Sequence, residues 1–196
     1  MSAIPKPRKL TAREYLAIEN AAEFKSEFFD GEMFAMAGAS AAHCFIRDNV
    51  NFEIRKRIDG GPCRMASSDL RVKVNPTGLY TYPDIVIVCG NPELDPDDPN
   101  TLVNPRVLVE VLSPSTEHYD RTIKLDHYRK IDSAREYVLV SQDEPRVERY
   151  ARGDDGRWTH DAYTGLDATF SLESVPAKDI PLADIFRGIA FPERAR

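Results

Sequence analysis

The chain has 196 residues, 42% of them hydrophobic and 30% charged, and a formal net charge of −6. That length supports one compact domain with a real core and is short for two, and the balance is that of an ordinary globular protein. No apolar run approaches the roughly 20 residues that span a bilayer, and the acidic excess argues against indiscriminate binding of nucleic acid through a basic surface. A carboxylate cluster that holds a divalent cation contributes negative charge itself, so the net sign alone excludes little.

Met1 to Arg13 is proline-rich and basic, without the apolar centre of a signal peptide, so a cytoplasmic location is expected. The three cysteines, Cys44, Cys63 and Cys89, are odd in number and widely spaced, with no CxxC pair. They read as reduced thiols used for packing, and a zinc site built on them is not expected.

Thr11-Ala12-Arg13-Glu14 forms a capping box that opens a short helix to about Glu19. Two aromatic-rich runs, Phe24 to Phe29 and Glu32 to Met36, flank Asp30-Gly31, a two-residue turn signal for a hairpin. Ser40 caps a longer helix to about Ile58, with Phe45, Ile46, Val50, Ile54 and Ile58 on one broad apolar stripe, and Gly60-Gly61-Pro62 stops it. Strands are expected over Arg64 to Ala66, Leu70 to Val74 and Tyr80 to Val88. Asn91 to Pro105, rich in Pro, Asp and Asn, reads as a surface loop.

Arg106 to Leu112 is nearly continuously apolar, as in a strand covered on both faces. Ser115 or Thr116 caps a helix to about Ile131, and Arg135 to Ser141 is another buried strand. Arg146 to Arg152 and Trp158 to Thr164 form a polar edge hairpin, followed by short strands and one helical turn near Leu182 to Phe186. The order predicts one mixed α/β domain: a core over about 40–141, which the resemblance below makes nuclease-like, an N-terminal helix and hairpin over 11–36, and a β-rich extension over 146–191.

The informative residues are charges inside apolar strands. Asp84 precedes Ile85-Val86-Ile87-Val88, and Glu110 lies within Val107-Leu108-Val109-Glu110-Val111-Leu112. A carboxylate buried there costs several kcal/mol unless it is paired or binds a metal. Two on neighbouring strands suit a hard divalent cation, and pairing with a nearby arginine is the plainer reading of either alone. On the following helix, Lys124 lies four residues after Asp120, so an ordinary ion pair within the helix competes with a role at Glu110.

Tyr82-Pro83-Asp84, then Glu110-Val111-Leu112-Ser113-Pro114-Ser115-Thr116, then Asp120, Lys124 and Tyr128 form an ordered set. With Glu27-Phe28-Phe29-Asp30-Gly31-Glu32, His43 and Glu136-Tyr137-Val138-Leu139-Val140, that set resembles the Uma-type endonuclease family, once catalogued only as a domain of unknown function. The resemblance runs from about Thr11 to Val147. It implies the PD-(D/E)XK nuclease superfamily, with a restriction-endonuclease-like central mixed sheet flanked by helices, and phosphodiester hydrolysis dependent on Mg2+, with Mn2+ as the alternative ion.

By that resemblance Asp84, Glu110 and the main-chain carbonyl of Val111 hold the metal, and Lys124 completes the catalytic set. The usual lysine position, two residues after the acid, is Leu112 here, so the resemblance moves the lysine to the helix. Glu27, His43, Asp69 and Asp120 are supporting candidates. Of Glu27 and Glu32, which strand alternation puts on opposite faces, Glu27 matches the family position. For Asp69, capping the turn before Leu70 is the competing role. Ser113 and Ser115 read as turn and cap residues, because no GxSxG or phosphate-binding glycine loop accompanies them.

The expected partner is nucleic acid, DNA foremost, with no membrane, and a homodimer is the simplest route to cutting both strands of a duplex. The competing functions are a nuclease fold that binds nucleic acid or protein without cutting, and a metal-dependent hydrolase of a small phosphodiester.

Overall fold

The computed structural model describes residues 8–191. The first seven residues of the basic N-terminal stretch lie outside that range. Helix α1 (Ala12–Glu19) opens on the expected capping box, with Thr11 and Glu14 bonded reciprocally. Strands β1 (Ser26–Phe29) and β2 (Glu32–Ala35) pair antiparallel across Asp30 and Gly31. Both turn residues take positive φ, 49° and 82°, which matches the twist of a two-residue hairpin.

Helix α2 (Ala41–Ile58) starts at Ser40, whose hydroxyl accepts the His43 N–H. Its buried row is Ile46, Val50, Ile54 and Ile58, a single i, i+4 line. Phe45 was expected on this stripe but is 60% exposed, because one residue off the line is a rotation of about 100°.

The apolar run from Tyr80 to Val88 is not one strand. It divides into β5 (Leu79–Thr81) and β6 (Ile85–Cys89), which join different sheets. Pro83 explains the break, since it has no N–H to give to a ladder. Asp84 therefore stands just ahead of β6, between the sheets, and not inside a strand.

The stretch read as a loop also differs. It holds β7 (Leu94–Asp95) and β8 (Asp98–Leu102), and β8 pairs in parallel with β4 (Arg71–Val74). Two of its three aspartates are buried because they are paired: Asp98 lies 3.1 Å from Arg71, and Asp95 lies 2.7 Å from Lys73. The acidic, proline-rich composition hid this partnership.

With β3 (Cys63–Ser67), β9 (Val107–Val111), β10 (Glu136–Val140), β11 (Arg146–Arg152) and β12 (Trp158–Thr164), two six-stranded sheets form. One runs β2-β1-β5-β4-β8-β7 and the other β12-β11-β10-β9-β6-β3. In the second, β9 is parallel to β10 and antiparallel to β6, so the central sheet is mixed, as expected. One face packs on α2, on the ribbon of β13 (Thr169–Leu172) and β14 (Ala177–Pro181), and on α5 (Leu182–Ile185). The other packs on the first sheet and on a helical segment made of α3 (Glu117–Tyr119), a widened turn (Asp120–Lys124) and α4 (Leu125–Tyr128).

The cysteine reading needs correction. Cys63 and Cys89 face each other across β3 and β6 and form a disulfide, and only Cys44 is free. Spacing in sequence could not show it, because the two meet only through the strand register. For a bridge across 26 residues, reduction should cost about 2–4 kcal/mol of stability. Thermal melts with and without reductant measure this, and coincident melts would refute it. No helix among the described residues is long and apolar enough to cross a membrane.

Candidate active site

Glu110 alternates onto the face of β9 shared with Leu108 and Leu112, which the segment 117–128 covers. Asp84 reaches β9 from the sheet junction. Its Oδ2 accepts the Val111 N–H at 2.8 Å, and its own N–H approaches Glu110 Oε2 at 3.3 Å. The Leu112 N–H turns the other way, to Val140 on β10. In an extended strand the N–H and C=O of one residue point to the same edge, so the Val111 carbonyl shares the edge that Asp84 occupies.

Lys124 comes from the covering segment. Its Nζ lies 2.9 Å from Glu110 Oε1, 3.1 Å from Glu27 Oε1 and 3.5 Å from Asp120 Oδ1. An ion pair with Asp120 and an approach to Glu110, which the spacing set against each other, thus coexist. Residues four apart on one helical segment are neighbours on its surface, so Lys124 reaches Asp120 while its ammonium extends to Glu110 on the sheet beneath. Lys124 and Asp120 are both buried, at 5% and 2% exposure.

Glu27 stands on the inner face of β1, while Glu32 is exposed on β2. The oxygens of Glu27 are taken by Lys124, by the Thr81 hydroxyl and by Tyr119 Oη at 3.2 Å. Glu27 therefore holds the lysine and does not face Asp84. His43, in the first turn of α2, places Nε2 3.1 Å from Asp84 Oδ2, the same oxygen that accepts the Val111 N–H. Asp69 stands apart from the cluster: it is exposed in the turn before β4 and pairs with Lys25 at 2.7 Å. Ser113 and Ser115 bond each other in the turn before α3, as turn residues do.

Burial pushes Glu110 up to about 8; Lys124 pulls the other way, and Asp120 and Asp84 add to the rise. Burial raises Asp120 as well. Burial opposes the charge of Lys124, but Glu110, Tyr128, Glu27 and Asp120 outweigh it and hold the lysine above its ordinary value. The side chains of Glu27, Asp84, Glu110 and Asp120 keep only 11%, 15%, 6% and 3% exposure. Three buried carboxyls therefore share one ammonium, and the fourth, Asp84, lies beside His43.

The donors are hard oxygens, two carboxylates and one carbonyl. No three His, Cys, Asp or Glu side chains among the described residues converge as a ready cage. Oxygen donors of this kind suit a hard divalent cation.

Residues 12–183 match the Uma2 family, described as "Putative restriction endonuclease". The chain belongs to the Uma2 family. Two Synechocystis sp. (strain PCC 6803) proteins of unassigned role are similar. The protein slr1290 is 36% identical, covering 93% of this chain and 94% of its own length. The protein sll1609 is 34% identical over 81% and 89%. The crystal structure of "a putative nuclease belonging to DUF820" from Anabaena variabilis shares the fold, with a TM-score of 0.73 at 20% identity, covering 92% of this chain and 98% of that one.

Within this Uma2 chain, three hydroxyls at the site went unassigned in the sequence. Thr81 and Tyr119 hold Glu27, and Tyr128 bonds Glu110. Tyr128 follows Lys124 by one helical turn, which is a readable signal. Thr81 comes from the other sheet and left none.

Proposed function

We propose that this Uma2-family chain is a metal-dependent endonuclease acting on DNA, with Mg2+ or Mn2+ held by Asp84, Glu110 and the Val111 carbonyl. The observation that carries the reading is the junction of the two sheets, where Asp84 bonds the Val111 N–H and its own N–H approaches Glu110 Oε2, so that both buried carboxyls lie beside the Val111 edge of β9. A bound cation supplies a water of lowered pKa and neutralises charge on the phosphate. Lys124, kept as an ammonium by its carboxylate neighbours, faces the developing negative charge. Glu27 and Asp120 fix the lysine, and His43 orients Asp84.

The test incubates the purified chain with plasmid DNA, single-stranded DNA and RNA, each with Mg2+, with Mn2+ and with a chelator. Cation-dependent nicking or linearisation of plasmid is expected. Cutting of RNA alone would move the substrate. Binding without cutting would select the competing reading of a nuclease fold that only binds, which draws on the ammonium resting directly on Glu110.

A further inference from the structure

Glu110 offers two oxygens, and the structure treats them differently. Oε1 receives the Lys124 ammonium at 2.9 Å and the Tyr128 hydroxyl at 2.9 Å. Oε2 receives only the Asp84 N–H, at 3.3 Å, among the described residues. Tyr128 is fully buried, and its ring is held edge-on against Tyr137 with centroids 5.0 Å apart, so its hydroxyl has a fixed address.

Tyr128 and Lys124 are four residues apart on the segment whose widened turn also carries Asp120. Tyr137 Oη donates to the Asp120 carbonyl at 3.1 Å and ties that turn to β10. The segment is thus a rack fixed to the sheet at one hydroxyl, and it presents two donors to one oxygen of Glu110.

We propose that Tyr128 is a positioning residue of the metal site: with Lys124 it occupies Glu110 Oε1 and so leaves Oε2 turned toward Asp84 for the cation. This rests on the metal-dependent reading above. Without the hydroxyl, Lys124 alone holds Oε1, and the carboxylate is free to rotate about its last bond. Hydrogen bonds that orient a metal-ligating carboxylate typically account for about 10–100-fold in affinity.

The test titrates Mn2+ by calorimetry into the wild type, Tyr128→Phe and Tyr137→Phe, with melting curves for all three. Tyr137→Phe is the control, since it removes an equally buried hydroxyl, on β10, that bonds the same segment and makes no hydrogen bond to Glu110. Tyr128→Phe should weaken Mn2+ binding at least about tenfold. Its cleavage rate should recover at saturating Mn2+, because the ligands themselves remain. Tyr137→Phe should lose stability while its Mn2+ affinity stays within about twofold. Equal affinity in the wild type and a folded Tyr128→Phe overturns the role of Tyr128 alone. An equal affinity loss in both variants shows a structural effect and overturns it too. No uptake by the wild type overturns the metal-dependent reading and this proposal together.

Discussion

Glu110→Gln abolishes cation-dependent cleavage and, in the same variant, raises the melting temperature of the cation-free protein. The first effect follows from losing an anionic ligand. A bound cation supplies several kcal/mol of charge stabilisation in the transition state, so the rate should fall by at least about 10³-fold. The second follows from the cost of burying an ionisable carboxyl. Glutamine keeps the shape of Glu110 and an oxygen for Tyr128 and Lys124, while Lys124 retains Glu27 and Asp120 as partners. Burial pushes the Glu110 carboxyl up to about 8, so at neutral pH folding protonates a group that is ionised in the unfolded chain, a cost that glutamine avoids. Relief of about 1 kcal/mol is typical for removing a functional group held at a cost, and at this chain length it corresponds to about 2–4 °C. A carboxylate present only to complete an ion pair gives the opposite sign, since breaking such a pair costs about 3–5 kcal/mol. Cleavage assays and cation-free melts on one preparation separate the two.

Lys124→Ala destabilises the protein strongly and removes cleavage while sparing cation binding. Glu27, Glu110 and Asp120 then face one another without their shared ammonium. The expected cost of about 3–5 kcal/mol lowers the melting temperature by about 6–20 °C. Mn2+ at a hundred times its Kd should return about 2.7 kcal/mol of that, because it binds only the folded chain. Cleavage should fall about 10²–10³-fold, the usual loss on deleting one preorganised stabiliser of developing charge. The Mn2+ Kd should change far less than the cleavage rate, since Lys124 is not a ligand: losing its bond to Glu110 Oε1 loosens that carboxylate, while losing its charge removes repulsion of the cation. Equal loss of binding in Asp84, Glu110 and Lys124 variants contradicts this division of roles.

Local chemistry made much of the fold legible. The Thr11 capping box, the Asp30-Gly31 turn, the Ser40 cap and the continuous apolar run around Glu110 each specify their element without help from distant residues. What the sequence hid depends on partners far along the chain. Asp95 and Asp98 read as loop residues until Lys73 and Arg71 are placed beside them. Cys63 and Cys89 read as separate thiols until strand register makes them opposite.

The candidate site divides in the same way. Asp84 and Glu110 stand out because charge next to buried strand sequence is expensive. The meeting of Lys124 with Glu110 depends on how the segment 117–128 packs over β9, which no residue pattern announces. Asp69 shows the limit of composition, since a carboxylate near the right strands is spent on Lys25 at the surface.

The measurement that tests the central claim most directly is a calorimetric titration of Mn2+ into the wild type and Asp84→Ala. One cation bound per chain in the wild type, and none in a folded Asp84→Ala, is the predicted result. No uptake by the wild type, with Asp84→Ala merely less stable, would contradict it and leave these carboxylates as structural partners of Lys124 and His43.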